Sequence, residues 1–181
     1  LNELGYDVVG ADLSKNSIAF AKQFENESLR FEVHDMRDPF QTKFDAIFNL
    51  FTSFGYFDDA KTNIQVLKNL KNGLKQDGIL VIDFMNVNHV KKSIVQKETI
   101  SRNDIDFHIS RTVDGNAIQK DIYFTADGNE HHYIENIKFL PLQTLKSYFE
   151  AVGLQLKHTF GSYLLEEFDI ENSTRLILIL K

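Results

Sequence analysis

The chain has 181 residues, is 43% hydrophobic and carries a net charge of −6, enough to bury one sizeable core. That charge disfavours a dominant attraction to nucleic acid or anionic membrane, and the lack of cysteine excludes disulfides and thiolate metal sites. No apolar run reaches membrane-span length and the start is unlike a signal peptide, so a soluble cytoplasmic protein is expected.

In chain order, NELGYD reads as the end of a helix, with Gly5 supplying the left-handed turn into a strand. A chain that opens on a helix end implies an N-terminal portion preceding it in the full protein. Tyr6 to Asp12, YDVVGAD, reads as a short buried strand ending on an acid, with Ser14 capping a helix from near Lys15. Ile18, Ala21 and Phe24 give that helix a modest stripe. Leu29 to Asp35 alternates as a strand does and again ends on an acid, and Pro39 makes the connection after it irregular. Phe44 to Phe51, FDAIFNLF, suits a strand buried on both faces, interrupted by Asn49. The loop TSFGYF carries exposed-looking aromatics. A helix follows with the stripe Ala60, Ile64, Leu67, Leu70 and Leu74, ended by Asp77-Gly78 before the strand Ile79 to Phe84.

The second half changes character. Asp114-Gly115 and Asp127-Gly128 are turn signals within Ile100 to Leu140, which predicts an antiparallel meander. Pro141 opens a helix with the stripe Leu142, Leu145, Phe149 and Val152, stopped by Gly153; two closing strands follow, Leu154 to Phe160 and Arg175 to Leu180. With no helix after it, the last strand is expected to pair antiparallel with its neighbour. The predicted fold is α/β: a Rossmann-like, doubly wound, mostly parallel sheet with an antiparallel last strand and an inserted antiparallel β meander. The expected organisation is an α/β core over 1–97, the meander as lid or dimer element over 98–140, and the rest of the core over 141–181.

LNELGYDVVGADLS, LRFEVHDMRD, FDAIFNLFTSFGYF, LKNGLKQDGILVIDFMN and FLPLQTLKSYFEAVGL, in this order and spacing, resemble class I S-adenosylmethionine-dependent methyltransferases of the small-molecule type with a β insertion. The resemblance implies S-adenosylmethionine as cofactor. It implies that Asp12 bonds the ribose hydroxyls, Leu13 lines the adenine pocket, Asp35 bonds the adenine amino group and Met36 packs near the base. Asn49, Leu50 and Phe51 match the segment that passes under the cofactor toward the substrate. The family's glycine-rich turn is absent from this chain and would precede the helix that ends at Gly5. The polypeptide alone is therefore expected to be unstable or to bind cofactor poorly.

A sulfonium methyl is already activated, so alignment can supply most of the acceleration and no catalytic residue is assigned. Phe51, Phe54, Tyr56, His131 and Tyr133 are candidate substrate contacts, with His132 on the opposite face of its strand from His131. No metal site is expected. The aromatic loop and the insertion suggest a small-molecule substrate with an amine or hydroxyl acceptor, no nucleic acid or membrane partner, and a possible homodimer through the open edge of the insertion. Two alternatives remain. A nicotinamide-dependent oxidoreductase also places a ribose-binding acid after its second strand, and a non-catalytic relative could keep the fold as a binding module.

Overall fold

A computed structural model describes residues Leu1–Lys181. A short 3-10 turn, Asn2–Leu4, ends at Gly5 in the left-handed conformation and leads into β1, Val8–Asp12. Ser14 caps α1, Lys15–Ala21, by accepting from the Ser17 amide at 3.2 Å, and a 3-10 turn extends it to Phe24. β2, Leu29–Val33, lies parallel to β1 with Asp12 opposite Val33. The two strands pack closely enough that a Cβ on Gly10 would sit 2.5 Å from the Phe31 ring. Only Ile18 is buried in this first unit. Phe24, expected in the helix stripe, is exposed and packs edge-to-face with Phe20.

The second unit holds the core. β3, Phe44–Asn49, runs parallel to β4, Leu74–Met85; β10, Arg175–Leu180, is antiparallel to β4 on one side and to β9, Leu156–Phe160, on the other. The antiparallel closing strand agrees with the sequence. The single sheet does not: hydrogen bonding divides the strands into β1–β2 and β3–β4–β10–β9, so β1 and β3 each keep one edge without a strand partner. β3 is also less enclosed than its composition suggests. Ile47 and Asn49 are buried, but Phe48 is 44% exposed, because strand alternation turns it away from the core.

α2, Ala60–Asn72, is capped by Asp59 and buries Asn63, Val66, Leu67, Asn69 and Leu70. The buried face is rotated from the one expected. Ala60 is exposed, and Leu74 already belongs to β4, which bulges so that Phe44 faces Leu74 while Ala46 faces Ile79. Across the sheet-covering layer, α2 packs on α4, Leu142–Val152, whose Leu145 and Phe149 are fully buried. Gly153 ends α4 at φ 67°, and Lys71 Nζ donates to the Val152 and Gly153 carbonyls at 2.7 and 2.9 Å, a cation at a helix C-terminus. α3, Val87–Ser93, has no counterpart in the sequence reading; Asn86 caps it.

The meander has four strands in sequence order: β5, Lys97–Arg102; β6, Ile105–Asp114; β7, Ala117–Ala126; and β8, Asn129–Lys138. The two Asp-Gly signals sit at its second and third turns. Its first turn, Asn103-Asp104, carries φ values of 49° and 62° without glycine, as a two-residue primed hairpin turn demands. Ile109, Ile118 and Phe139 are buried, and Lys138 N–H donates to the Gly55 carbonyl at 3.1 Å, seaming the meander to the loop after β3.

Candidate active site

Two acids close the first unit at its carboxyl edge. His34 N–H donates to the Asp12 carbonyl at 3.0 Å, which continues the parallel ladder and brings the chain after β2 alongside Asp12. The Asp12 carboxylate is exposed; Oδ1 accepts from the Ser14 amide at 2.7 Å and Oδ2 is free. This is a turn bond onto the capping residue, since Ser14 itself caps α1, and it occupies one oxygen only. Leu13, beside it, is 65% exposed.

Asp35 is differently placed. Its Oδ1 accepts from the Arg37 amide at 2.9 Å and from Arg37 Nε at 3.0 Å, and Oδ2 accepts from Arg37 Nη2 at 2.5 Å. The Arg37 side-chain bond, followed by its backbone bond, lowers the carboxyl from its ordinary 3.8 to about 2. The same guanidinium lies 5.5 Å from the Phe57 ring centroid. A ligand at Asp35 must therefore share these oxygens with Arg37. Met36 is half-buried against the core, and its carbonyl and that of Arg37 accept from Asn69 Nδ2 at 3.4 and 2.6 Å. Asn69 was missed in the sequence. Its signal is an amide on the buried face of an otherwise apolar helix, where it needs partners.

At the end of β3, Asn49 is 8% exposed and its Oδ1, although buried, has no hydrogen-bond partner. Leu50 follows half-buried. Phe51 and Thr52 then take φ values of 58° and 61°, a left-handed pair that side-chain-bearing residues adopt at a cost. Asp83 on β4, 1% exposed, holds them: Oδ2 accepts from the Phe51 amide at 3.0 Å, and the Asp83 carbonyl accepts from the Thr52 amide at 3.1 Å. Arg175 Nε donates to Asp83 Oδ1 at 2.8 Å and Arg175 Nη2 reaches Thr52 Oγ1 at 3.1 Å. Neither charged residue was singled out in the sequence. The signal was there in an acid within ILVIDF and a base opening RLILIL, since charges in apolar strands require each other.

The remaining candidates separate. Phe51 is 78% exposed and free to meet a ligand, but Phe54 is fully buried in the core. Its reading as a substrate contact is corrected: TSFGYF is not a uniformly exposed loop, because Gly55, at φ 93°, turns the chain over Phe84 and folds Phe54 inward. Tyr56 is 46% exposed, and burial followed by the nearby Glu135 charge raises its phenol. His131 and Tyr133 lie on the face of β8 that also carries Ile137, stacked with Phe124 at 4.8 and 5.9 Å; His132 is on the other face, stacked on Tyr123 and 3.0 Å from Asp121 Oδ1. A groove of about 440 Å³ between α2 and α4 is lined by Lys61, Lys68 and Lys71 and contains none of these residues.

The residues present fit a nucleoside-bearing cofactor. A free carboxylate oxygen on Asp12 can accept from a hydroxyl, and the orphaned Asn49 Oδ1 can take a donor. Residues 1–140 match the family described as a methyltransferase domain. The methyltransferase-named protein YqeM of Bacillus subtilis (strain 168) is 34% identical over 87 residues, covering 46% of this chain and 35% of that protein. The chain thus aligns with about a third of the length of this curated relative. A S-adenosylmethionine-dependent methyltransferase from Clostridium acetobutylicum ATCC 824 shares the fold with a TM-score of 0.80 at 16% identity, covering 96% of this chain and 74% of that one. The sugar N-methyltransferase KedS8 from Streptoalloteichus sp ATCC 53650 superposes with a TM-score of 0.70 at 15% identity, covering 94% of this chain and 70% of that one. The chain belongs to the methyltransferase-domain family and has the class I S-adenosylmethionine-dependent methyltransferase fold.

Proposed function

We propose that the protein transfers a methyl group from S-adenosylmethionine to a small-molecule acceptor, an amine in preference to a hydroxyl. The observation that carries this reading is the convergence of Asp12, Asp35 and the partnerless Asn49 Oδ1 on strand carboxyl ends, where open α/β folds bind their ligands. The amine preference draws on KedS8, a sugar N-methyltransferase. When bound, the cofactor supplies an activated methyl for in-line displacement. Asp12 would hold its ribose through Oδ2, Asp35 would meet the base edge once Arg37 shared an oxygen, and Leu13 and Met36 would line the base pocket. Asn49 and Leu50 would support it from β3, and Phe51, Tyr56, His131 and Tyr133 would shape the acceptor side. Holding both reactants in register can supply roughly 7–11 kcal/mol of the barrier reduction.

The meander serves as a lid over this side or as a dimer element. The outer edge of β8 has no strand partner and exposes Tyr133 and Ile134, which supports the second role. Light scattering should then show a dimer that Ile134→Lys splits; a strictly monomeric wild type removes that role. For the reaction, tritiated methyl transfer to a panel of amino sugars and simple amines is measured with the full-length protein, alongside titration with S-adenosylmethionine and with NADH. NADH binding without S-adenosylmethionine binding would favour the oxidoreductase. Cofactor binding without transfer to any amine or alcohol would favour a binding module.

A further inference from the structure

We infer that Asp83 is the positioning residue of the site: with Arg175 it clamps the left-handed Phe51–Thr52 turn and the Tyr163 loop, so that both stand in register with Asn49. This rests on the methyl-transfer reading for its purpose, but the geometry stands apart from it. One atom, Asp83 Oδ2, accepts from the Phe51 amide at 3.0 Å and from the Tyr163 hydroxyl at 2.9 Å. The other oxygen is held by Arg175, which lies two residues along β10 from Ile177, the residue paired with Asp83, and so on the same sheet face. The carboxylate is buried, so losing a partner leaves an unpaired charge rather than a hydrated one.

The purpose of such a clamp is visible in what it opposes. Thr52 is β-branched, 6% exposed and left-handed, a conformation that persists only where surrounding bonds over-determine it. Five bonds do so here. Besides the two from Asp83 and the one from Arg175, the Ser53 amide and hydroxyl both donate to the Leu50 carbonyl, at 3.2 and 2.7 Å. The Tyr163 side is fixed as closely. Gly161 sits where a Cβ would lie 2.0 Å from Ser173 Oγ, and its carbonyl accepts from the Arg175 amide at 3.0 Å. Tyr163, Leu164 and Leu165 are then 63%, 84% and 60% exposed, beside a Phe51 that is 78% exposed. An apolar, open wall is thereby tied through one carboxylate to the turn that follows Asn49.

The test uses the full protein, with S-adenosylhomocysteine as the ligand probe and amide hydrogen exchange as the ligand-free readout. In Asp83→Asn the group facing the Phe51 N–H becomes a donor, so that amide should exchange about 10- to 100-fold faster relative to β10 amides, the loss of one charged hydrogen bond. S-adenosylhomocysteine should bind roughly tenfold more weakly, the scale on which small misplacements act. Adding Thr52→Gly, which adopts φ 61° without a clamp, should recover at least about half of that loss on a logarithmic scale. A merely structural ion pair predicts no rescue. Tyr163→Phe, which removes the second bond to Asp83 Oδ2, should speed exchange of the Leu165 amide. Should Asp83→Asn fail to fold, Thr52→Val, which deletes only the hydroxyl bonded by Arg175, should weaken the ligand about threefold. Unchanged Phe51 exchange, absent rescue, or unchanged affinity in Thr52→Val each overturns the proposal. A wild type that binds no S-adenosylhomocysteine removes the methyl-transfer reading and the clamp's purpose with it, and the exchange arm still decides whether Asp83 holds the turn.

Discussion

Asp12 ends β1 and Asp35 lies in the turn just after β2, and physical chemistry gives them different tasks. Asp12 has one oxygen on the Ser14 amide and one free, in an exposed position. Asp12→Ala should therefore weaken S-adenosylmethionine binding by about tenfold or more, while loss of the exposed turn bond to the Ser14 amide costs about 0.5 kcal/mol. Calorimetry and denaturant unfolding compare the two, and equal free-energy losses would return Asp12 to a turn residue alone. Asp35 has no free oxygen and titrates near 2, below its ordinary 3.8, chiefly through the Arg37 side-chain bond. A depressed carboxyl stabilises the fold above its unfolded value; here that contribution is present above about 3.8 and is lost as pH falls through about 2. In Arg37→Ala the backbone amide bond remains and the guanidinium bonds do not. The Asp35 midpoint, followed by carboxyl NMR, should rise into the interval between those values, and an unmoved midpoint would remove Arg37 as the cause.

At the scale of elements, the strand and helix order could be read from periodicity and caps, and α4 shows why. Pro141, four apolar positions and Gly153 all state one helix, and the structure has it from Leu142 to Val152. The stripe expected for α2 holds at Leu67 and Leu70, but the buried face is rotated to include Asn63 and Asn69, which hydrophobicity alone scores as solvent-facing. Asn69 is inside because it serves the Met36 and Arg37 carbonyls. Asn69→Ala should cost about 1–3 kcal/mol in urea unfolding by leaving these acceptors unpaired, whereas a loss below about 0.5 kcal/mol, the usual range for unremarkable surface positions, would mean that water replaces the amide. The same blindness hid Asp83 and Arg175. Their meaning depends on a pairing between β4 and β10 that is distant in sequence, and local pattern cannot supply it. Phe54 failed for a related reason: an aromatic next to glycine in a loop carries no mark of the direction in which the turn sends it.

The whole molecule consists of three sheets that share no strand pairing: β1–β2, β3–β4–β10–β9 and the β5–β8 meander. Residues 1–35 bury one side chain completely, Ile18, while the core of β3, β4, β9, β10, α2 and α4 holds most of the buried apolar surface. The links between the units are side-chain ones: the stack of His34 on Phe40 at 4.2 Å, the Phe40–Phe44 edge contact, and Asn69 on the turn after β2. Stability follows buried contact density, so residues 1–35 should open as a unit well below the global unfolding free energy. Their amides should exchange at least about tenfold faster than those of β4 and β10 at neutral pH. The proposed cofactor would touch Asp12 and Asp35 on one unit and Asn49 on the other, bridging what the backbone leaves unjoined. A ligand that binds only the closed arrangement at 100 times its Kd adds about 2.7 kcal/mol. Saturating S-adenosylhomocysteine should then slow exchange in 1–35 by up to about 100-fold, and in β10 by a similar factor, because global unfolding also releases the ligand. Protection of β10 without protection of 1–35 would mean that the ligand sits on the second sheet alone and that Asp12 and Asn49 do not share it.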